Sequence, residues 1–547
     1  MPSNQRGASA VISALQAAGV RNIFTLSGNQ IMPLFDASIG AGIRLVHVRH
    51  EAAAVHMADT WGRLTEQPGV ALVTAGPGMA NCLSALYVAR MAESPLVLLS
   101  GHSPIGRHAL GAFQEMAQAE MALPVAKASW TVTNANSLSG EIARALQIAG
   151  HGRPGPVHLS LPFDLLEAPA IQDDQTGQID HPRDLLTPDQ STRILTELAR
   201  ATRPLILTGP SLMRGQPAEL LRTLESITSI PVIGMESPRG VNDPSLGALA
   251  EVLSQADLLL LWGKKLDFTL RLNNKPAYDS ECRILQVDPE QEFLDLTNRV
   301  LGDAAPSQLA LRADTRASCD RLVEAARQLT WNTSGWLSEV HSAVSYRPAT
   351  WDGLQAHQAD RLHPVQVCRA TQRYLDGATG SIFISDGGEF GQWAQACVRA
   401  PLRVINGTAG SIGGAIPFAL AARLAYPEAR IVTALGDGTF GFHAMEFDTA
   451  VRCELPFIAV LGNDAFWNAE YQIQLRKYGL DRAVGCDLLP TRYDQLVSAI
   501  GGYGEHIKTE RELGPALERA HNSELPSCLN ASLENAAAPV IRRDPQQ

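Results

Sequence analysis

The apolar run Ile431 to Leu435, closed by Gly436-Asp437-Gly438, and a second run, Phe457 to Leu461, closed by Asn463-Asp464, constrain this chain more than any other feature. Short continuous apolar runs bounded by turn residues read as parallel strands, because a strand covered on both faces has no wet side to alternate toward. One helix and one strand separate Asp437 from Asp464, the length of a single right-handed crossover. Both acids therefore fall beyond the carboxyl ends of strands, where open α/β sheets collect ligands. The stretch Phe442 to Cys453 reads as the intervening helix, with a positive N-terminus suited to a phosphate. Carboxylate and carbonyl oxygens suit Mg²⁺, which binds through a few protein oxygens plus phosphates and waters, so the pattern predicts a metal–diphosphate anchor. Taken singly, each turn also fits an ordinary loop opening; the spacing joins them.

The alternation continues on both sides. Strand-like runs at Asn22 to Leu26, Arg44 to Val48, Val70 to Ala75, Leu96 to Ser100 and Pro156 to Leu161 are separated by alanine-rich helical stretches. A second set lies at Pro204 to Leu207, Pro231 to Gly234, Asp257 to Trp262 and Arg283 to Val287, and a third resumes at Ser381. The residues from Ala168 to about Asp189 read as an exposed linker, and Asn332 to His363 as an irregular stretch. The expected fold is α/β, with three doubly wound parallel-sheet domains over residues 1–167, 190–328 and 364–547. A chain of 547 residues at 45% hydrophobic is long enough for that many cores.

Net charge of −11 without a basic run argues against nucleic acid as a partner, and no run approaches membrane-spanning length. Eight scattered cysteines, among them Cys82, Cys282 and Cys453, show no metal-ligand spacing and suit reduced thiols. The N-terminus leads straight into an amphipathic helix without a signal-peptide core, so a cytoplasmic protein with a small-molecule substrate is expected. Other motifs carry chemistry. Glu51 follows His50 in the first turn of an alanine-rich helix, where the dipole alone would favour it by about 0.3–1 kcal/mol. Gly76-Pro77-Gly78 with Asn81, and Ala409-Gly410-Ser411-Ile412-Gly413-Gly414, read on their own as turns beside core residues.

Together these motifs resemble those of thiamine diphosphate enzymes, over nearly the whole chain and within the branch of acetolactate synthases, benzaldehyde lyases and 2-hydroxyacyl-CoA lyases. The resemblance implies a pyrimidine-binding first domain, a spacer or nucleotide-binding middle domain and a diphosphate-binding third. It implies Mg²⁺ held by Asp437, Asp464 and the Phe466 carbonyl, with Asp464 standing where the family usually has asparagine. Glu51 takes the place of the glutamate that activates the cofactor, and Gln114, in Gly111-Ala112-Phe113-Gln114-Glu115, that of a glutamine facing the reacting carbon. Gly76, Pro77, Gly78 and Asn81 match the pyrimidine-side loop. Gly388, Glu389, Phe390, Ser411, Gly436, Gly438 and Thr439 fall on the diphosphate side, with Ile412 as the wedge that bends the cofactor. Asn29, Phe113, Trp467 and Ala469 are the matching substrate-wall positions, and Trp467 also borders the cofactor; core is the commoner fate of an aromatic placed like Phe113, and Trp467 and Ala469 each also fit the cover of a hydrophobic edge. Ser27-Gly28-Asn29-Gln30 lacks the histidine of benzaldehyde lyase, which weakens that assignment.

The implied activity is carbon–carbon bond making or breaking beside a carbonyl, acetolactate synthase-like on 2-oxo acids. The alternative is a 2-hydroxyacyl-CoA lyase, prompted by Ser237-Pro238-Arg239-Gly240 and Gly263-Lys264-Lys265-Leu266-Asp267-Phe268, whose cations could meet CoA phosphates or be solvated surface charges. Gln286-Val287-Asp288-Pro289-Glu290 leaves FAD, ADP or CoA open in the middle domain. A cofactor-binding regulator without turnover is the reading from another class. Because Glu51 and Asp437 lie on different domains, the resemblance implies sites completed between subunits of a homodimer or homotetramer.

Overall fold

The computed structural model describes residues 4–171, 184–272, 277–302, 309–332 and 335–543. These fall into two compact units, one within Met1–Asp180 and Gln355–Ala538, the other within His181–Leu354 and Pro539–Gln547. The first unit holds two six-stranded parallel sheets. One runs in the order Arg44–His47, Asn22–Thr25, Gly69–Val73, Leu96–His102, Pro156–Pro162, Ala128–Thr131. The other runs Leu402–Ile405, Ser381–Ser385, Arg430–Gly436, Ile458–Asn463, Ser527–Ser532, Tyr503–Ile507. Numbered along the chain, both sheets have the order 2-1-3-4-6-5. Each thus has its topological switch between its first and third strands, the crevice where doubly wound sheets bind ligands.

The two sheets share a core. The alanine-rich helix Glu51–Thr65 packs on Ala415–Ala425, and small side chains on both faces, Ala53, Ala54 and Ala58 against Ala419 and Ala422, let the backbones approach. Phe418 and Phe447 fill the space beside them, each fully buried aromatic contributing about 1.5–3 kcal/mol. Arg63 crosses the junction: it pairs with buried Asp59, donates to the Ile405 carbonyl at 2.6 Å and lies over the Phe418 ring at 5.2 Å. His56 and His443 face each other there at 5.6 Å, and burial holds both pKa values down to about 3, so both stay neutral.

The second unit is a five-stranded parallel sheet in the order Val232–Gly234, Pro204–Thr208, Leu258–Trp262, Arg283–Asp288, Leu309–Arg312. Here the chain end returns: Arg543 pairs with Glu251 and Glu339. Several expectations need correction. The stretch Phe442 to Cys453 is not one helix; Asp437–His443 and Glu446–Cys453 are separate, so the first begins at the acid itself. Residues 332–363 are not wholly irregular, because Trp336, Val340 and Ala343 recur at helical spacing and bury one face of the helix Trp336–Ser345. Within the expected linker, Pro169–Ile171 pairs antiparallel with Asn4–Arg6, and 172–183 lie outside the described residues. Among the described residues no helix is long and apolar enough to cross a membrane, and all eight cysteines are free thiols.

Candidate active site

At the switch point of the later sheet, a cleft is lined by Gly388, Glu389, Phe390, Ile412, Gly436, Asp437, Gly438, Thr439, Asp464, Phe466, Trp467 and Ala469. Asp437 begins its helix directly from the strand Arg430–Gly436, and Gly438 N–H donates to its Oδ1 at 3.0 Å. The other oxygen, Oδ2, is buried and has no hydrogen-bond partner. Burial pushes the Asp437 pKa up to about 6. Asp464 ends the neighbouring strand; burial, and then the charge of Asp437, push its pKa up to about 8. Two facing carboxyls, one with an unanswered buried oxygen, fit a divalent cation that would replace the missing partner and relieve the repulsion. Among the described residues no three His, Cys, Asp or Glu side chains form a metal-binding group. A cation here would therefore draw its remaining ligands from backbone, phosphate and water, as Mg²⁺ does.

Glycines let this crevice close tightly. A Cβ on Gly438 would lie 2.6 Å from the Trp467 ring, and one on Gly387 would lie 2.7 Å from Ile412 Cγ2. Ile412 is thus braced on the turn that precedes Gly388. Its loop is pinned by Asp386, to which its sequence context alone assigns no role. Buried Asp386 accepts from the N–H groups of Gly387 at 2.8 Å, Gly413 at 3.0 Å and Ala415 at 3.1 Å. Ser411 does not line the cleft; its carbonyl accepts from Asn406 at 3.1 Å. Thr439 Oγ1 donates to the Gly436 carbonyl at 2.9 Å, closing the turn. The segment Leu480 to Asp494, whose path the sequence does not reveal, folds back on the acid loop: Trp467 N–H donates to Cys486 and Leu488 N–H to Ala465, both at 2.7 Å.

The earlier sheet carries the second group. Glu51 opens its helix after His50, whose Nδ1 accepts from Ala52 N–H at 3.1 Å. Asn81 donates to Glu51 Oε2 at 3.0 Å, and a Cβ on Gly78 would meet Glu51 Oε1 at 3.2 Å. Gly76, with φ +59°, admits the backbone of Gln114, whose carbonyl would lie 2.8 Å from a Cβ there. Gln114 itself has φ +57°, a conformation that non-glycine residues reach only when their surroundings impose it. Pro77 begins the short helix Pro77–Ala80 after this turn. The buried residue that sets the turn is Gln118, which accepts from Gly76 N–H at 2.6 Å and donates to Ser100, Gly101 and Ser160. Asn29 is exposed, while buried Gln30 accepts from Thr74 Oγ1 at 2.7 Å. Phe113 is not a core residue: it is 72% exposed, beside Leu110 at 75%. Glu51, Asn81, Gln114 and Gly76 to Gly78 do not line the Asp437 cleft.

In the second unit, Lys264 is neither a surface charge nor a free phosphate ligand. It is buried, and its Nζ donates to the Lys265 carbonyl at 2.7 Å, Thr269 Oγ1 at 2.8 Å and Asp267 Oδ1 at 3.1 Å. Lys265 lies over the Phe293 ring at 3.9 Å, and Arg239 is exposed.

The profile of the thiamine pyrophosphate enzyme N-terminal TPP binding domain matches residues 5–121, and that of the C-terminal TPP binding domain matches 386–531. The acetolactate synthase large subunit of Mycobacterium tuberculosis is 32% identical over 96% of this chain and 95% of its own length. A 2-hydroxyacyl-CoA lyase 2 from Homo sapiens is 31% identical over 93% of this chain and 86% of its own. The same lyase from Danio rerio is 30% identical over 93% and 88%. With both profiles falling on the two sheets that carry Glu51 and Asp437, this chain belongs to the thiamine diphosphate enzyme family, in the group that holds acetolactate synthases and 2-hydroxyacyl-CoA lyases.

Proposed function

We propose that the protein is a thiamine diphosphate- and Mg²⁺-dependent enzyme that makes or breaks a carbon–carbon bond beside a carbonyl, acting on 2-oxo acids in the manner of an acetolactate synthase. The observation that carries this reading is the buried, unpartnered Asp437 Oδ2 beside Asp464 at a sheet's switch point. When bound, the cofactor supplies a thiazolium ring that accepts an electron pair from the cleaved or decarboxylated bond. Asp437, Asp464 and the Phe466 carbonyl would hold the cation, and the turn at Gly388, where a Cβ would meet nothing within 4 Å, would leave room for a diphosphate against backbone. Ile412, braced on Gly387, would fix the cofactor's bend and so the proximity of its two rings. Glu51, oriented by Asn81, would exchange a proton with the pyrimidine, and Gln114 would hydrogen-bond a substrate oxygen.

In this reading each site takes Glu51 from one chain and Asp437 from another, in a cytoplasmic homodimer or homotetramer. The exposed Leu110 and Phe113 beside the Gln114 loop suit a surface that another chain covers. A second reading, 2-hydroxyacyl-CoA cleavage, draws on the likeness to the human lyase. It loses one argument, since Lys264 already spends its donors inside the protein. Product analysis with thiamine diphosphate, Mg²⁺ and a panel of oxo acids, aldehydes and acyl-CoA thioesters tests both. Turnover of pyruvate or another 2-oxo acid supports the first reading, and turnover confined to a 2-hydroxyacyl-CoA supports the second. Tight cofactor binding with no turnover of any of them would contradict both and leave a regulator.

A further inference from the structure

Gln114 stands on a loop that the chain ties down at several points. Glu115 folds back to accept from Ala112 N–H at 3.0 Å and from Ala109 N–H, which closes residues 109–115 on themselves. The Met116 carbonyl then accepts from Gln118 N–H at 2.8 Å and faces His102 Nε2 at 3.1 Å. A further tie runs through the Gln118 side chain, which is 1% exposed and reaches a different loop: its Oε1 accepts from Gly76 N–H at 2.6 Å. Gly76 is the residue whose missing Cβ makes room for Gln114. Added there, that atom would lie 2.8 Å from the Gln114 carbonyl oxygen and 3.0 Å from its Cβ. One side chain thus holds the turn against which Gln114, at φ +57°, is bent.

The Gln118 amide is itself fixed from behind. Nε2 donates to the Ser100 hydroxyl and the Gly101 carbonyl, each at 2.9 Å, and to the Ser160 hydroxyl at 3.1 Å. A flipped amide would set its NH2 against Gly76 N–H and its oxygen against the Gly101 carbonyl, so only one orientation satisfies both sides. Because Ser100 accepts from Gln118, its own proton is available to His158 Nε2 at 2.8 Å, and His158 Nδ1 then donates to Ser129 Oγ at 2.8 Å. Ser100, Ser160 and His158 are fully buried, and such a network is rigid only while each member is answered. None of these residues lines the Asp437 cleft. We propose that Gln118 is a positioning residue: anchored on Ser100, Gly101 and Ser160, it latches the Gly76 turn to the Gln114 loop and so aims the Gln114 amide at the substrate. The proposal rests on the proposed function for the task of Gln114; the latch is independent of it.

The test pairs amide hydrogen exchange of the full chain, followed by mass spectrometry, with kinetics of the holoenzyme on pyruvate. Gln118→Met keeps the length of the side chain and removes both polar ends. Exchange across 109–117 should quicken by about tenfold, while that of the helices Glu51–Thr65 and Asp437–His443 stays within about twofold of the parent. The kcat/KM for pyruvate should fall by about tenfold to a hundredfold, the scale of a misplaced contact group. In a Gln114→Ala background the same substitution should cost less than about twofold more, since a residue acting through Gln114 then has nothing left to aim. Gln118→Glu, whose buried carboxyl stays protonated and can accept from Gly76 and donate to Gly101, should recover to within about threefold of the parent in both readouts. Unchanged exchange across 109–117 in Gln118→Met would overturn the latch, and a kinetic loss that adds in full to that of Gln114→Ala would overturn the positioning role. If the parent turns over no pyruvate, the acetolactate synthase-like reading loses its support and exchange alone decides the latch. Should Gln118→Met fail to fold, Ser100→Ala decides: exchange across 109–117 about threefold faster supports the latch, and unchanged exchange overturns it.

Discussion

The two six-stranded sheets of the first unit share one strand order and carry different chemistry at the same crevice. In the later sheet the switch point gathers two buried carboxyls whose pKa values rise to about 6 and about 8, with one oxygen unanswered. In the earlier sheet it gathers the half-buried Glu51, answered by the Asn81 amide, and a turn held by Gln118. Topology supplies the crevice; in the proposed function, side chains at the strand ends decide whether it grips a cation or handles a proton.

That contrast can be broken from either side. Glu51→Gln should lower turnover by about 10²–10⁴, the range for losing a positioned acid–base group, while cofactor affinity measured by calorimetry stays within about threefold. Asp437→Ala should do the reverse: cofactor uptake in the presence of Mg²⁺ falls by about a hundredfold, and the residual affinity no longer responds to Mg²⁺. If Glu51→Gln also abolished uptake, the division of labour between the sheets would be wrong. Asp386→Ala should sharpen the picture of the later sheet, since it strips three N–H groups of their acceptor and frees the Ile412 loop. Denaturant unfolding should show a loss of about 3 kcal/mol, with greater mobility of 409–415 by hydrogen exchange.

The smallest effect is one of pH. Both raised carboxyls favour the protonated form in the folded protein, so without cation their stabilising contribution is full below about pH 4 and is lost as pH rises through about 6 for Asp437 and about 8 for Asp464. Cation binding needs the charged forms and runs the other way: Mg²⁺ affinity should climb between pH 6 and 8. Asp464→Asn, which removes the higher titration, should flatten that climb in the same calorimetric series. A slope identical to the parent's would show that Asp464 does not face the cation.

How legible all this was in the sequence depended on whether the cause was local. The apolar runs marked most strands within a residue or two, because a doubly covered strand must be apolar throughout; the run Arg283 to Val287 is the strand Arg283–Asp288. Edge strands such as Ala128–Thr131, Leu402–Ile405 and Tyr503–Ile507 went unread, since each is only partly buried and carries no continuous apolar run. The pairing of Asp437 with Asp464 was legible because crossover length fixes which strand ends are neighbours. Asp386 and Gln118 were not, because each works on partners that no periodicity reveals. Asp386 and Gln118 had a weak signal all the same: a polar residue directly after a buried strand, and a glutamine one turn beyond Gln114. The exposed Phe113 misled for the converse reason, since an aromatic beside apolar neighbours reads as core, yet this one is 72% exposed.

The claim that everything else depends on is that Glu51 of one chain completes the Asp437 site of another. The most direct measurement mixes Glu51→Gln and Asp437→Ala chains, neither competent alone, and follows hydrogen–deuterium exchange at the cofactor's thiazolium C2 by NMR, which needs no substrate. The account predicts that exchange returns in the mixture, because one site of each mixed dimer then has both an intact Glu51 and an intact Asp437. A mixture that forms mixed dimers yet exchanges no faster than the separate variants would contradict it.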